Sequence, residues 1–343
     1  MKQEHGNSWP INQGVILIVG LIVILATIKF TAELFVPFLL ALSLTIIINP
    51  LIAWFAKCKI PPWLTGLVLL MLLTVPMIIL INYLTAEIND LLANIDSLKD
   101  QFTSVLKHIT LWLNKFGVTQ ADDAVQKVLQ SSSLRSIAHS IITETGSQLS
   151  NFLMVLILVI YMLLEASSMQ AKLRYVAREN AELIDNLAEL INRVQNYFVI
   201  KLQTSLITGV CIYLGLIFFG IKYAILWAVL AFVLNFVPII GSIIAAIPPL
   251  FLALVSQSLS ACLWLTGYFL VVELVIGNVI EPKMMSKGLG LSAFIVLLSL
   301  SFWGWILGPT GIILSVPLTM SLQTYFAHYT QTQWLAIMLG DNK

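Results

Sequence analysis

The run LNFVPIIGSIIAAIPPL, residues 234–250, decides the fold. It is apolar enough for the interior of a bilayer, yet it carries Asn235, Pro238 and Gly241. Hydrocarbon offers no partner to a free backbone group, so irregular chain at membrane depth persists only where it faces protein or a water-filled cavity. Pro238 removes a backbone N–H and Gly241 lets the chain turn tightly. The flanking apolar segments, 223–237 and 242–256, hold fifteen residues each. That is about 22 Å of helix, short of the ~30 Å hydrocarbon core. The pair forms either two short spans or one re-entrant hairpin, and both return the chain to the side it left.

Working outward, further apolar segments lie at 13–30, 32–53, 63–84, 149–165, 203–220, 259–280, 291–307 and 309–327. Gly308 and Pro309 divide the last two in the same ambiguous way. Of the 343 residues 59% are hydrophobic and 10% charged, and the mean hydropathy is +0.94. Soluble domains carry about 25% charged residues. The sequence predicts an all-α, polytopic integral membrane protein with about eight transmembrane helices, some broken or re-entrant. The first segment has only Lys2 ahead of it and no small-residue cleavage site, so it reads as a retained helix.

Several function classes fall away. Cys58, Cys211 and Cys262, like the four histidines, are scattered without metal or redox spacing. A net charge of +1 suggests no nucleic-acid partner. There is no phosphate-binding GxxxxGK[ST] loop, HExxH or GxSxG, so neither an enzyme nor a cofactor is expected. What remains is movement of a small solute or ion.

Two stretches are not membrane-like and divide the chain. Residues 1–84 hold the N-terminal spans, 85–148 an extramembrane amphipathic region, 149–165 a span, and 166–202 a second amphipathic helix. A C-terminal bundle with broken helices occupies 203–327, and 328–343 form a tail. In the first stretch Leu91, Ile95, Leu98, Phe102, Leu106, Ile109, Leu113 and Phe116 recur at steps of three and four. Such a face packs against its own neighbours or another subunit, or serves gating or the membrane surface. In the second, Leu183, Leu187, Leu190, Val194 and Tyr197 mark one face.

Basic residues in short loops set orientation. With the N-terminus inside, the inner segments hold Lys2, Lys57, Lys59, Lys172, Arg174, Arg178, Arg193, Lys201, Lys283, Lys287 and Lys343, and the outer short loops only Lys29 and Lys222. Both termini are expected in the cytoplasm. Trp54 and Trp63 flank the Lys57/Lys59 loop as interfacial anchors do.

Asn235, Pro238 and Gly241 are candidates for a substrate or ion pathway, because transporters build sites from interrupted helices. Asn235 otherwise serves as interhelical glue. Glu273 lies well inside an apolar segment, where a carboxylate is costly unless it faces a partner or cavity. It is the better proton carrier, having no basic residue in its own span. Asn278 and Glu281 fall near the same helix face. Pro282 ends the helix, and Glu281 either joins the pathway or pairs with Lys283 or Lys287 at the interface. Gly304 and Gly308 form a GxxxG that permits close helix packing, beside Trp303 and Trp305.

The segments TAELFVPFLLALSLTIIINPL (31–51), LNFVPIIGSIIAAIPPL, GNVIEPKMMSKGLGLSAFIVLLSL (277–300) and FWGWILGPTGIILSVPL (302–318) occur in an order that resembles the autoinducer-2 exporter family of membrane transporters. By that resemblance Asn235, Pro238 and Gly241 match an Asn and Pro-x-x-Gly element. Gly277, Asn278, Glu281, Pro282 and Lys283 match an Asn-x-x-Glu-Pro element, and Gly308, with the adjoining Pro309, Gly311 and Pro317 match a terminal glycine–proline motif. Glu273 lies outside these motifs. The resemblance implies export of a small polar metabolite, the quorum-sensing signal autoinducer-2, across a bacterial inner membrane by a homo-oligomer, a pentamer among the forms considered. Sodium(lithium)/proton antiport is the alternative within the family. A membrane scaffold that transports nothing is the alternative outside it.

Overall fold

The computed structural model describes residues 11–57, 62–114, 152–165, 181–238, 240–285 and 290–340, with Ser168, Met169, Lys172 and Tyr175. All regular structure among them is helical. The second half of the 85–148 region, residues 58–61 and the side chains of Trp54 and Trp63 lie outside the described set.

Helices α1 (Ile11–Phe30) and α2 (Ala32–Lys57) meet at an 81° bend between Phe30 and Ala32. Helix α3 (Pro62–Ala93) is 32 residues long. It continues past residue 84 without a break and ends on Glu87 and Asp90. After one turn residue comes α4 (Ile95–Asn114), the amphipathic helix expected there. Its apolar face packs inward, with Phe102 5.0 Å from Phe251 and Leu98 against the core, beside Leu91 from the end of α3. Helix α5 spans Phe152–Glu165. Helix α6 (Ala181–Phe218) is 38 residues long, so the expected boundary at 202/203 falls inside one continuous helix.

The break at 234–241 is a helical hairpin. Gly220 and Tyr223 take left-handed conformations (φ 66° and 63°) and turn the chain into α7 (Ala224–Leu234). Helix α8 (Ile240–Ser256) returns to the start, where Gln257 Nε2 donates to the Phe219 carbonyl at 2.7 Å. Both arms therefore begin and end beside the C-terminus of α6. At the tip Val237 N–H donates to Leu234 O (2.8 Å) and Ile240 N–H to Pro238 O (2.7 Å).

Helix α9 (Leu259–Val275), capped by Ser258, passes through a π turn at Ile276–Ile280 and ends in the short α-helical stretch Glu281–Met284. Helix α10 (Ala293–His328) doubles back at Gly308 (φ 67°, ψ −152°). Trp303 Nε1 donates to Thr319 Oγ1 at 3.0 Å. Sixteen residues of straight helix would separate these two by about 24 Å, so the halves form a second antiparallel hairpin. Its base is tied by Gln323 Nε2 donating to Gly290 O (2.5 Å), and α11 (Gln333–Leu339) closes it through Ser292 N–H to Leu339 O (3.2 Å). The first hairpin enters beside the C-terminal end of α6. The second enters beside its N-terminal half, where Val194, Tyr197 and Phe198 pack with Leu291, Val296 and Met320.

Among the described residues four helices are long and apolar enough to cross a membrane by length and composition, α10 being counted along its whole length although it doubles back at Gly308; the bent α1–α2 pair adds a fifth, and α5, α7 and α8 are shorter apolar helices. Large apolar side chains face outward along α1, α3, α6, α9 and α10, including Phe30, Met71, Leu206, Trp264 and Phe294. Outward-facing apolar surface on this scale suits lipid contact. Two cores line α6. One joins Ile212 and Leu216 to Trp227, Ala245, Leu252, Leu265 and Ile276; the other joins Val194 and Tyr197 to Leu291, Leu314 and Met320.

Candidate solute site

Between these cores lies a polar layer. On α6, Tyr197, Lys201, Thr204, Ser205 and Thr208 are all buried. Their steps of four, three, one and three place them in one stripe about 100° wide. Gly209 lets α7 press onto this face: a Cβ there would meet Phe232 Cβ at 3.2 Å and Ala228 O at 3.3 Å. The close approach seats the hairpin tip against the stripe, and Asn235 Nδ2 donates to Ser205 Oγ at 2.9 Å. Lys201 Nζ donates to Glu281 Oε1 (2.7 Å) and Oε2 (3.0 Å), and Thr204 Oγ1 to Glu281 Oε2 (3.4 Å). The pair is nearly dry, with side chains 5% and 18% exposed. Its mutual attraction offsets a desolvation cost of several kcal/mol per ion, and losing one partner would leave a buried, uncompensated charge.

Of the residues singled out from sequence, Asn235 and Glu281 thus enter one site through the adjacent Thr204 and Ser205. Pro238 and Gly241 shape the tip. Gly241 serves by the space it leaves rather than by a left-handed turn: its φ is not positive, and a Cβ would collide with the Leu234 carbonyl.

Several expectations are corrected. Glu281 pairs with Lys201 across the bundle; Lys283 is exposed, and Lys287 lies outside the described residues. Lys201 is accordingly no loop cation and drops out of the orientation count, leaving ten inner basic residues against two. Asn278 is exposed while Glu281 is half-buried. They part because the π turn breaks the 3.6-residue period that placed them on one face. Glu273 is half-buried beside Gly277, with no hydrogen bond or ion pair to any described residue. Gly304 packs on Ile312 of its own returning arm, Gly311 sits against the Trp303 carbonyl, and Gly308 is the turn itself with nothing near its Cα. Gly304 therefore permits close packing between the two arms of α10, while Gly308 makes the turn between them. Pro309 begins the returning arm, and Pro317 is buried within it. Among the described residues no group of His, Cys, Asp and Glu could hold a metal ion.

The arrangement of broken hairpin, polar stripe and π turn coincides with a match over residues 18–331 to the AI-2E family transporter profile. The chain belongs to the AI-2E transporter family. It is 32% identical over 327 residues to the AI-2 transport protein TqsA of Escherichia coli K12, covering 95% of each chain. It is 34% identical over 341 residues to a protein of Haemophilus influenzae, covering 98% of each. It is 32% identical over 324 residues to YhhT of E. coli K12, covering 94% of this chain and 93% of that one. The names of these last two assign transport only provisionally, with no substrate. The family and its relatives are transport proteins, not enzymes.

Two parts of the site are not among the residues that the sequence singles out. Lys201 reads as a loop charge, and the hydroxyl row beside it as part of an apolar span. The signal that marks them is spacing: Lys201, Thr204, Ser205 and Thr208 repeat at helical intervals inside an apolar run.

Proposed function

We propose that this protein is a secondary transporter or facilitator that exports a small polar metabolite, the autoinducer-2 signal, across a bacterial inner membrane, working as a homo-oligomer with both termini in the cytoplasm. The observation that carries this reading is the polar layer at the tip of a broken hairpin, between two apolar cores. It is a place where a solute can exchange water for hydroxyl, amide and paired charged groups. The similarity to TqsA across nearly the whole chain supports the choice of signal. Sodium or lithium exchange has less support. The carboxylate in the layer is already neutralised by a lysine at 2.7 Å.

Uptake of labelled autoinducer-2 into proteoliposomes, with ion-sensitive dyes in the same vesicles, tests the proposal. Saturable signal flux without sodium movement is expected. Sodium-dependent proton flux without signal flux would replace it with antiport, and no flux of any kind with a stable co-purifying protein would replace it with a scaffold. Glu273→Gln in the same assay tests coupling: an unchanged pH profile leaves passive facilitation.

A further inference from the structure

One polar atom in the layer has no partner among the described residues. The Tyr197 ring is 3% exposed and packs edge-on against Phe198 at 5.5 Å, but its hydroxyl makes no hydrogen bond to any of them. A buried hydroxyl left unpaired is costly, and native structures seldom keep one without a use. Tyr197 stands one helical turn before Lys201 on the same face of α6. Its hydroxyl lies within the field of the Glu281 carboxylate. Tyr197 belongs to the second core and the hairpin tip to the first, so the hydroxyl marks the inner edge of the polar layer.

The chemistry around it is specific. Lys201 offers only donors, and two of its protons are spent on Glu281. The Glu281 carboxylate has further acceptor capacity. The Tyr197 hydroxyl offers one donor and an acceptor face. A free hydroxyl, a spare lone pair and a spare ammonium proton together match a neutral molecule whose hydroxyl or carbonyl groups both donate and accept. They do not match a bare cation, which the ammonium repels, or an anion, which the carboxylate repels. We infer that Tyr197, with the Lys201–Glu281 pair, forms a hydroxyl-binding subsite for a small neutral polyol or hydroxycarbonyl solute. The inference rests on the transport reading above and names the residue that recognises the solute.

Tyr197→Phe removes only the unpartnered oxygen and leaves the ring packed, so it isolates this role. In proteoliposomes the variant is expected to assemble and melt no lower than the parent, while half-saturation for autoinducer-2 rises about tenfold, the worth of one buried hydrogen bond. Unchanged half-saturation together with a raised melting temperature would overturn the subsite and leave a merely unsatisfied hydroxyl. A second readout is independent of signal flux. Thermal shift of the purified protein with glycerol, erythritol and ribose should show stabilisation that Tyr197→Phe weakens. If the parent moves no signal yet shows that stabilisation, the choice of autoinducer-2 fails and the subsite stands. If neither protein responds to any of these solutes and no signal moves, the subsite fails as well.

Discussion

The two helical hairpins solve the same problem in different ways. Both bend an apolar helix back on itself where lipid cannot satisfy free backbone groups. At Gly308 the turn is made by backbone conformation: a left-handed glycine reverses the chain, and Gly304 and Gly311 let the arms close until Trp303 reaches Thr319. At Leu234–Gly241 no described residue has a positive φ. That turn is made by Pro238, by hydrogen bonds closing on Leu234 and Val237, and by the Leu234 carbonyl lying where a side chain at position 241 would be. The Gly308 tip is apolar, with Ile306 and Leu307 buried. The other aims Asn235 into the polar layer. One hairpin is fastened by contacts between its own arms, the other by a hydrogen bond to a different helix, so only the second can feel what occupies the layer.

The strongest test of this contrast is steric. Gly311→Val and Gly241→Val each drive a Cβ into a backbone carbonyl, at Trp303 and Leu234 respectively. Both should abolish the folded, monodisperse protein in size-exclusion chromatography, and a well-assembled Gly241→Val would show that the tip is looser than described.

Next in size is the ion pair. Lys201→Met or Glu281→Gln alone should cost about 3–5 kcal/mol, whereas Lys201→Met with Glu281→Gln should recover most of that stability. Transport should stay impaired in the double variant. Recovery of both properties would reduce the pair to a staple.

The hairpins separate more finely with single polar contacts. Trp303→Phe removes one hydrogen bond between arms and should cost about 1 kcal/mol with little change in transport. Asn235→Ala leaves the fully buried Ser205 hydroxyl without that donor, should cost ~1–3 kcal/mol, and should slow transport. Equal transport defects in the two variants would erase the distinction.

The smallest effect lies at the mouth of the first hairpin. The Tyr223 hydroxyl donates to Asp90 Oδ2 at 2.8 Å. Burial, then that hydrogen bond to a carboxylate, holds the phenol protonated and pushes its pKa up to about 12. A group whose pKa rises on folding favours the fold below its unfolded value near 10 and loses that contribution as pH climbs toward 12. Ultraviolet titration should show late-ionising tyrosines, one of which Tyr223→Phe removes. An ordinary midpoint near 10 would mean that α3 does not hold the hairpin base.

Composition and periodicity made much of this legible. The helical membrane character, the breaks at Pro238 and Gly308, and the two-faced pattern of α4 follow from apolar length, turn residues and steps of three and four, while what the apolar face of α4 packs against does not. The choice between two spans and a hairpin was not legible, because arm length bears equally on both. Only contacts far apart in sequence, Gln257 with Phe219 and Gln323 with Gly290, decide it. Lys201 was hidden by its charge. A lysine near the start of an apolar run reads as the end of a loop, and its partner lies 80 residues away. The alternative that pairs Glu281 with Lys283 or Lys287 fails for the same reason: proximity along the chain is not proximity across the bundle.

The π turn at Ile276–Ile280 gives this part of the sequence a tolerance unlike that of its neighbours. Such a turn holds one residue more than a regular helix would. Because the extra residue is taken up within the turn, removing any one of the five would heal the helix, cost it little in hydrogen bonding and leave Glu281 facing Lys201 nearly as before. In the regular helix on either side a lost residue would instead rotate everything beyond it by about 100°. Length is therefore negotiable here and nowhere else in α9, and the chain can grow or shrink by one residue at this turn without losing its aim.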